Sequence, residues 1–132
     1  MKCIVVTPEA TILDVEADAV VIPLYDGEIG IWNGHTPLVG RLGYGELRIS
    51  RDKETTSYYI ESGFVEVLNN TISLLTNRAV PSGSLNLEDS RDELESALSK
   101  MAISDDQHNL KMENIAAARA QVRLAEKFAV KR

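Results

Sequence analysis

A single cysteine, Cys3, in 132 residues leaves no partner for an internal disulfide, which fits a reducing compartment. The thiol itself reads as an inert, half-buried side chain. No apolar run approaches the roughly 20 residues that a membrane-spanning helix needs. Met1-Lys2-Cys3-Ile4 leads directly into strand-like sequence where a secretory leader would stand, so the chain is expected to be neither secreted nor inserted in a bilayer. His35 and His108 are the only histidines, and neither has a histidine or cysteine neighbour at metal-ligand spacing, which excludes the common metal sites. Also missing are the Gly-x-Ser-x-Gly elbow, the Gly-x-x-x-x-Gly-Lys phosphate loop and a Gly-x-Gly-x-x-Gly run after a strand. Gly43-Tyr44-Gly45 reads as a turn. No catalytic site is expected.

Aromatics make up only 5% of a chain that is 44% hydrophobic, so the core should be built from Val, Ile and Leu. The net charge of −6 disfavours nucleic acid and anionic lipid as partners, since both attract basic patches. The imbalance lies early. Residues 1–84 carry 11 acidic and 6 basic side chains, against 9 and 8 in residues 85–132, so the first part favours a partner with basic loops.

Up to about residue 80, short β-type segments alternate with turn residues at close spacing, the pattern of an antiparallel sandwich or barrel. Candidate strands are 3–7, 11–15, 17–23, 28–32, 38–42, 45–51, 55–62, 64–68 and 71–76. Phe64 to Leu68 and Thr71 to Leu75, joined by Asn69-Asn70, form a strong hairpin pattern. After Pro81-Ser82-Gly83-Ser84 the apolar period changes from two to about 3.6, and Gly and Pro disappear, which predicts helix. Leu87, Leu94, Leu98 and Met101 share one face of a first helix, and Ser104-Asp105-Asp106 supplies capping chemistry for a second. The second helix, from about Gln107 to Val130, would run roughly 35 Å, with a stripe of Ile115, Ala118, Val122, Ala125 and Ala129. The fold expected is therefore mainly β plus α: an N-terminal antiparallel β-sandwich of about ten strands over 1–84, and a C-terminal antiparallel two-helix hairpin over 85–132. Periodicity leaves two roles open for the hairpin: a cover for the sandwich, or an element whose narrow, alanine-rich stripe lets its contact exchange. Carboxylates such as Glu88-Asp89 and Asp92-Glu93 are explained by the positive end of a helix.

The most specific segment is Asp26 to Pro37. Asp26-Gly27 and Asn33-Gly34 are turn dipeptides that tolerate positive φ, and Glu28 to Trp32 between them can run extended. Gly27, Glu28, Gly30, Ile31, Gly34, His35 and Pro37 match the Gly-Glu-x-Gly-Ile-x-x-Gly-His-x-Pro signature, and here the chain resembles the epsilon subunits of rotary F-type ATP synthases, of bacterial or chloroplast type. The likeness extends from Val5-Val-Thr-Pro through Gly45-Glu-Leu-Arg-Ile and Glu61-Ser-Gly-Phe-Val-Glu-Val to Arg119-Ala-Gln-Val-Arg-Leu.

The resemblance implies a non-catalytic rotor part of the proton-translocating enzyme. Its sandwich (1–84) would bind the gamma shaft and the membrane c-subunit ring. Its helical hairpin (85–132) would be regulatory, extending toward the catalytic alpha and beta subunits to inhibit hydrolysis. It also implies a peripheral place on the cytoplasmic face of the cell membrane, or on the stromal face of thylakoids, reached through partners. Rotor-ring contact would fall to Glu28, Gly30, Trp32 and His35. From sequence alone Glu28 is a solvated turn glutamate and His35 a brace bonded to local backbone; the resemblance turns Glu28 toward basic ring loops. Arg119, Arg123 and Lys127, with Lys131 and Arg132 beyond them, would form the inhibitory helix. No cofactor is required. Some bacterial members bind ATP between the helices, through Ile/Leu-Asp-x-x-Arg-Ala and Arg-Ala-x-x-Arg motifs. Here Leu87, Arg91, Arg119 and Arg123 match, whereas Glu88 replaces Asp, Asp92 replaces Ala, and Leu98 stands where another arginine is expected. An ATP-sensing hairpin anchored by the sandwich, and an unrelated β-sandwich adaptor, are the alternative functions.

Overall fold

The computed structural model describes residues 1–130. Its strands are β1 Lys2–Val6, β2 Thr11–Glu16, β3 Ala19–Leu24, β4 Gly27–Trp32, β5 Leu38–Arg41, β6 Tyr44–Arg51, β7 Glu54–Glu61, β8 Phe64–Leu68, β9 Thr71–Leu75 and β10 Arg78–Pro81. They form two five-stranded sheets, β2-β1-β9-β8-β5 and β10-β7-β6-β3-β4. The inward half of each alternation fills the space between them: Cys3, Val5, Val65, Val67, Ile72 and Leu74 from the first sheet meet Val20, Ile22, Ile31, Leu47, Ile49 and Ile60 from the second. The core is aliphatic, as the scarcity of aromatics requires.

Turn chemistry sets the registers. Asn69 and Asn70 both adopt positive φ (50° and 59°), closing β8 on β9 with a two-residue turn of the kind whose twist matches the strands. Asp52 and Lys53 (51° and 67°) do the same between β6 and β7. Three details depart from expectation. The first sheet is not wholly antiparallel, because β1 pairs parallel with β9, Cys3 beside Ile72 and Val5 beside Leu74. This joins residues far apart in sequence and leaves no local signal. Tyr44 and Gly45 open β6 instead of forming a turn; Gly43 is where the backbone closes in, since a Cβ there would lie 2.7 Å from the Leu24 carbonyl oxygen. Finally, β10, four residues ending in Pro81, was absent from the candidate strands and pairs with β7 at the sheet edge, a place that tolerates the missing N–H of proline.

The chain separates into two compact units, Met1–Pro81 and a second beginning at Ser82. In the second, α1 spans Leu87–Ser99 and α2 spans Asp105–Val130. The Asn86 side chain accepts from Asp89 N at 3.0 Å. Ser104 Oγ accepts from Gln107 N (3.1 Å) while Gln107 Oε1 takes Ile103 N (2.9 Å), so donors left open at each helix start are satisfied. Arg91, early in α1, lies 3.4 Å from Glu126, late in α2, which makes the pair antiparallel. The expected apolar faces shift. Ser90 and Ala97 are buried and Leu87 and Leu94 partly so, whereas Leu98 points out, and Met101 lies beyond the helix because Lys100 is extended. On α2, Ile115, Ala118 and Ala125 are buried as expected, joined by Ala120, Gln121 and Leu124; Val122 is half-buried and Ala129 exposed.

Candidate functional site

Strand β4 forms one edge of the second sheet. Ile29 and Ile31 point into the core, so Glu28, Gly30 and Trp32 share the outer face by alternation. Glu28 thus lies within the strand, as the candidate strand 28–32 has it, and not in the turn before it. Nor is it purely solvated: its Oε2 lies 3.3 Å from Arg48 Nη1 on β6, and the same Nη1 lies 3.0 Å from Glu46 Oε1. Glu46 also accepts from Ser57 on β7. Glu46 is 11% exposed and Glu28 53%. One guanidinium therefore serves two carboxylates, the sheltered one more closely, and the hydrogen bond that Arg48 donates to Glu46 is the main reason that it is held above its usual pKa, with the Glu28 charge adding to it. Glu28 is thus a half-exposed carboxylate that shares its cation with a better-sheltered one.

Trp32 is 60% exposed, and its ring folds back over the strand. A Cβ on Gly30 would lie 2.6 Å from the indole Cη2, so the ring lies over the bare backbone of Gly30, one alternation step from Glu28. In the following corner, Gly34 has φ 80°, and its N–H donates to Asn70 Oδ1 at 2.8 Å, tying the corner after β4 to the β8–β9 turn of the other sheet. His35 N donates to Trp32 O (3.2 Å) and its Nδ1 faces Thr36 O at 2.7 Å, the local brace expected of it. All four expected ring-contact residues thus fall on one edge strand and the corner that ends it.

The outer face of the first sheet was not anticipated. Pairing aligns Val6 with Leu75, Leu75 with Phe64 and Phe64 with Arg41, one row across β1, β9, β8 and β5. The next row is Ile4, Ser73, Glu66 and Val39. Phe64 (62%), Leu75 (57%), Val39 (74%) and Leu68 are exposed. The signal was legible: Phe64-Val-Glu-Val-Leu places apolar residues on both faces of a strand that needs only one buried. Arg48 was equally readable, since Glu46 and Arg48 are two apart on a strand and must share a face.

In the helical unit, Glu88 lines a cavity of about 330 Å³ between the segment Gly83 to Leu87 and Ala125, Phe128 and Ala129. Arg91, Arg119 and Arg123 are not among its walls. Arg91 is engaged by Glu126; Arg119 and Arg123 are exposed, four apart on α2, and hold no ion pair among the described residues. Lys127 Nζ sits 6.0 Å from the Phe128 ring centre. Lys131 and Arg132 lie outside the described residues.

A two-sheet sandwich with an acidic, aromatic edge on one sheet and an exposed apolar face on the other, followed by a helical pair, has the build of a docking subunit. Residues 1–82 match the model of the ATP synthase delta/epsilon chain beta-sandwich domain. The chain is 38% identical to the ATP synthase epsilon chain of Rhodopirellula baltica over 123 residues, covering 93% of this chain and 96% of that one. It is 32% identical to the chloroplastic epsilon chain of Porphyra purpurea, with 92% of each covered. A chain in the Euglena gracilis mitochondrial ATP synthase shares the fold with a TM-score of 0.80 at 22% identity, over 97% of this chain and 79% of that one. This chain belongs to the ATP synthase delta/epsilon family and is an epsilon chain by its similarity along nearly the full length.

Proposed function

We propose that this chain is a non-catalytic subunit of the central stalk of a proton-translocating ATP synthase, joining the gamma shaft to the c-subunit ring. The observation that carries this reading is the outer face of the first sheet, where Phe64 and Leu75, paired across β8 and β9, stand exposed with Val39 and Leu68 around Glu66; a concentration of exposed apolar side chains on one sheet face marks an interface. It fits the gamma shaft. The opposite sheet offers Glu28 and Trp32 along its edge, a carboxylate and an indole suited to basic loops of the ring. The sandwich between them is densely packed and its strands are paired, so torque applied at one face reaches the other without loss in bending. The complex being membrane-bound, this chain belongs to its peripheral part, on the cytoplasmic face of the cell membrane or the stromal face of thylakoids.

The helical unit is regulatory in this reading. Arg119 and Arg123, unpaired on α2, and Lys127 meet acidic surfaces on the alpha and beta subunits when the hairpin extends, and hydrolysis is restrained. The test is reconstitution with and without residues 85–132. Assembly retained and hydrolysis raised supports both halves; unchanged hydrolysis in an assembled complex removes the inhibitory role, and failure to bind folded gamma removes the stalk role.

A second reading, ATP held by the hairpin, rests on the cavity beside Glu88. It requires Arg91 to leave Glu126 for a phosphate. Calorimetry of the full chain with ATP decides: heat of binding supports it, and no heat up to millimolar ATP rules it out.

A further inference from the structure

A second cavity, of about 510 Å³, opens at one end of the first sheet, within the range of roughly 300–1,000 Å³ usual for concave binding sites. Its walls include Val6, Pro8, Phe64, Leu75, Arg41 and Asn77. Four of these come from the single row that crosses β1, β9, β8 and β5. The floor is built by an unusual crossover from β7 to β8. Ser62 has φ 49° and Gly63 φ 107°. The crossover is pressed so close to β9 that a Cβ on Gly63 would lie 1.9 Å from the Leu75 carbonyl oxygen. Asn77 Nδ2 donates to Ser62 Oγ at 2.6 Å and holds that conformation. A strained crossover kept in place at the base of an open, apolar notch is the kind of construction found where a ligand or partner is received.

The only formally charged wall residue is Arg41. Four of the six basic side chains in this acidic unit hold ion pairs, namely Lys2, Arg48, Arg51 and Arg78. Arg41 makes none among the described residues. Its guanidinium lies 5.4 Å from the Tyr25 ring centre, which orients the fork without neutralising it. The notch therefore presents apolar walls and one oriented, uncompensated cation, on a unit otherwise rich in carboxylates.

We infer that this notch is the anchoring pocket of the gamma-facing surface, and that it receives a large apolar side chain of gamma with a carboxylate beside it that pairs with Arg41. The inference rests on the stalk reading above and deepens it. Continuity argues for it, because Phe64 and Leu75 belong to both the pocket and the exposed face. Charge complementarity argues for it too, because most of this carboxylate-rich unit disfavours an acidic partner residue and Arg41 is the cation that the notch offers; Lys53, the unit's other basic side chain with no ion pair among the described residues, lies in the β6–β7 turn of the other sheet. Interfaces concentrate their affinity at a few such filled pockets.

The experiment is binding of the full chain to folded recombinant gamma from the same source, measured by surface plasmon resonance at several salt concentrations. Wild type binds. Phe64→Ser weakens binding roughly tenfold or more, Arg41→Glu weakens it further, and Arg41→Lys retains most of it. Thr56→Ser, exposed on β7 of the second sheet and away from this face, stays within about threefold. Arg41→Gln flattens the salt dependence, which a merely structural arginine would not do. Replacing the facing carboxylate of gamma by lysine restores binding to Arg41→Glu. All three positions are exposed, and melts by circular dichroism verify that each variant folds; the salt slope of Arg41→Gln stands as the measurement should Phe64→Ser unfold. Wild-type binding with Arg41→Glu and Arg41→Gln indistinguishable from it overturns the pocket and leaves the stalk reading intact. No binding by wild type overturns the stalk reading, and the pocket loses its occupant with it.

Discussion

Three glycines in this sandwich offer a controlled comparison, because replacing each by alanine brings a different penalty. At Gly34 the φ is 80° and nothing lies within 4 Å of an added Cβ, so Gly34→Ala meets conformational strain alone. That is about 1 kcal/mol, after the gain from a stiffer unfolded chain is set against it. At Gly63 the φ is 107° and the added Cβ would lie 1.9 Å from the Leu75 carbonyl oxygen, whereas real contacts stay beyond 3.0 Å. The crossover and β9 must separate by about 1 Å, which a packed interior resists. The movement disturbs the bond from Leu42 N to Gly63 O, 2.8 Å long, and that from Thr76 N to Val6 O, 2.9 Å long. Strain of about 1–3 kcal/mol plus about 1 kcal/mol for each weakened bond gives roughly 3–5 kcal/mol for Gly63→Ala. Gly30 has no strained φ, and its Cβ would strike only the Trp32 indole, 2.6 Å away at the end of an exposed side chain that can swing aside. The expected loss is under about 1 kcal/mol. Because Trp32 is the only tryptophan, Gly30→Ala should shift the emission while leaving stability almost unchanged. Urea unfolding followed by circular dichroism ranks the three. Equal midpoints for Gly34→Ala and Gly63→Ala would refute the close-approach argument, and an unaltered emission spectrum in Gly30→Ala would refute the placement of the indole.

Three other outcomes are expected. Arg48→Ala strands Glu46, 11% exposed, beside Ser57 without its cation and should lower stability by about 1–3 kcal/mol; Glu28→Ala removes a half-exposed pair and should cost under about 1 kcal/mol, so urea midpoints should separate the two variants. Burial pushes the Cys3 thiol up to about 12. The folded state then holds its proton more tightly than the unfolded chain, so this contribution to stability is complete below pH 9 and fades between pH 9 and 12 by about 1.4 kcal/mol per unit; Cys3→Ser should flatten the decline in alkaline melts, and native protein at pH 8 should resist alkylation. Asn86→Ala and Ser104→Ala remove caps and should each lower the stability of the helical unit by about 1 kcal/mol, seen as earlier loss of helical ellipticity.

Much of this architecture follows from local chemistry. The pair Asn69-Asn70 announced its hairpin because few residues adopt positive φ twice in succession. Ser104-Asp105-Asp106 announced the start of α2 because short polar side chains there match open backbone donors, and Ser104 is the one that caps. What escaped was either non-local or ambiguous in pattern. No residue of β1 indicates that it lies parallel to β9. The four residues Arg78 to Pro81 are too short and end in the wrong residue to read as a strand, yet an edge accepts them. The strand from Glu28 to Trp32 was legible, but Glu28 at its start reads as a turn glutamate because Asp26-Gly27 precedes it, whereas the turn lies one residue earlier and Gly27 already pairs with Leu24. The candidate site was half legible. Its edge residues stood in a motif, while Arg48 and the row Val6, Leu75, Phe64 and Arg41 emerge only when strands are laid side by side. On the helices, periodicity found the right arc within about one residue but could not foresee that α1 stops at Ser99 and leaves Met101 outside it.

The parallel pairing of β1 with β9 also imposes an order of assembly. Lys2 meets Thr71 across the ladder, so of these ten strands the first to be synthesised is among the last to be seated. Until Leu75 exists, β1 has only β2 beside it, and one flank of its backbone stays open. Closing a loop of about 70 residues costs roughly 3 kcal/mol more chain entropy than closing a two-residue hairpin, so the β8–β9 and β6–β7 ribbons can form well before that closure is favourable. The first sheet is therefore closed late, when β1 with its neighbour β2 is added to the open edge of the β8–β9 ribbon.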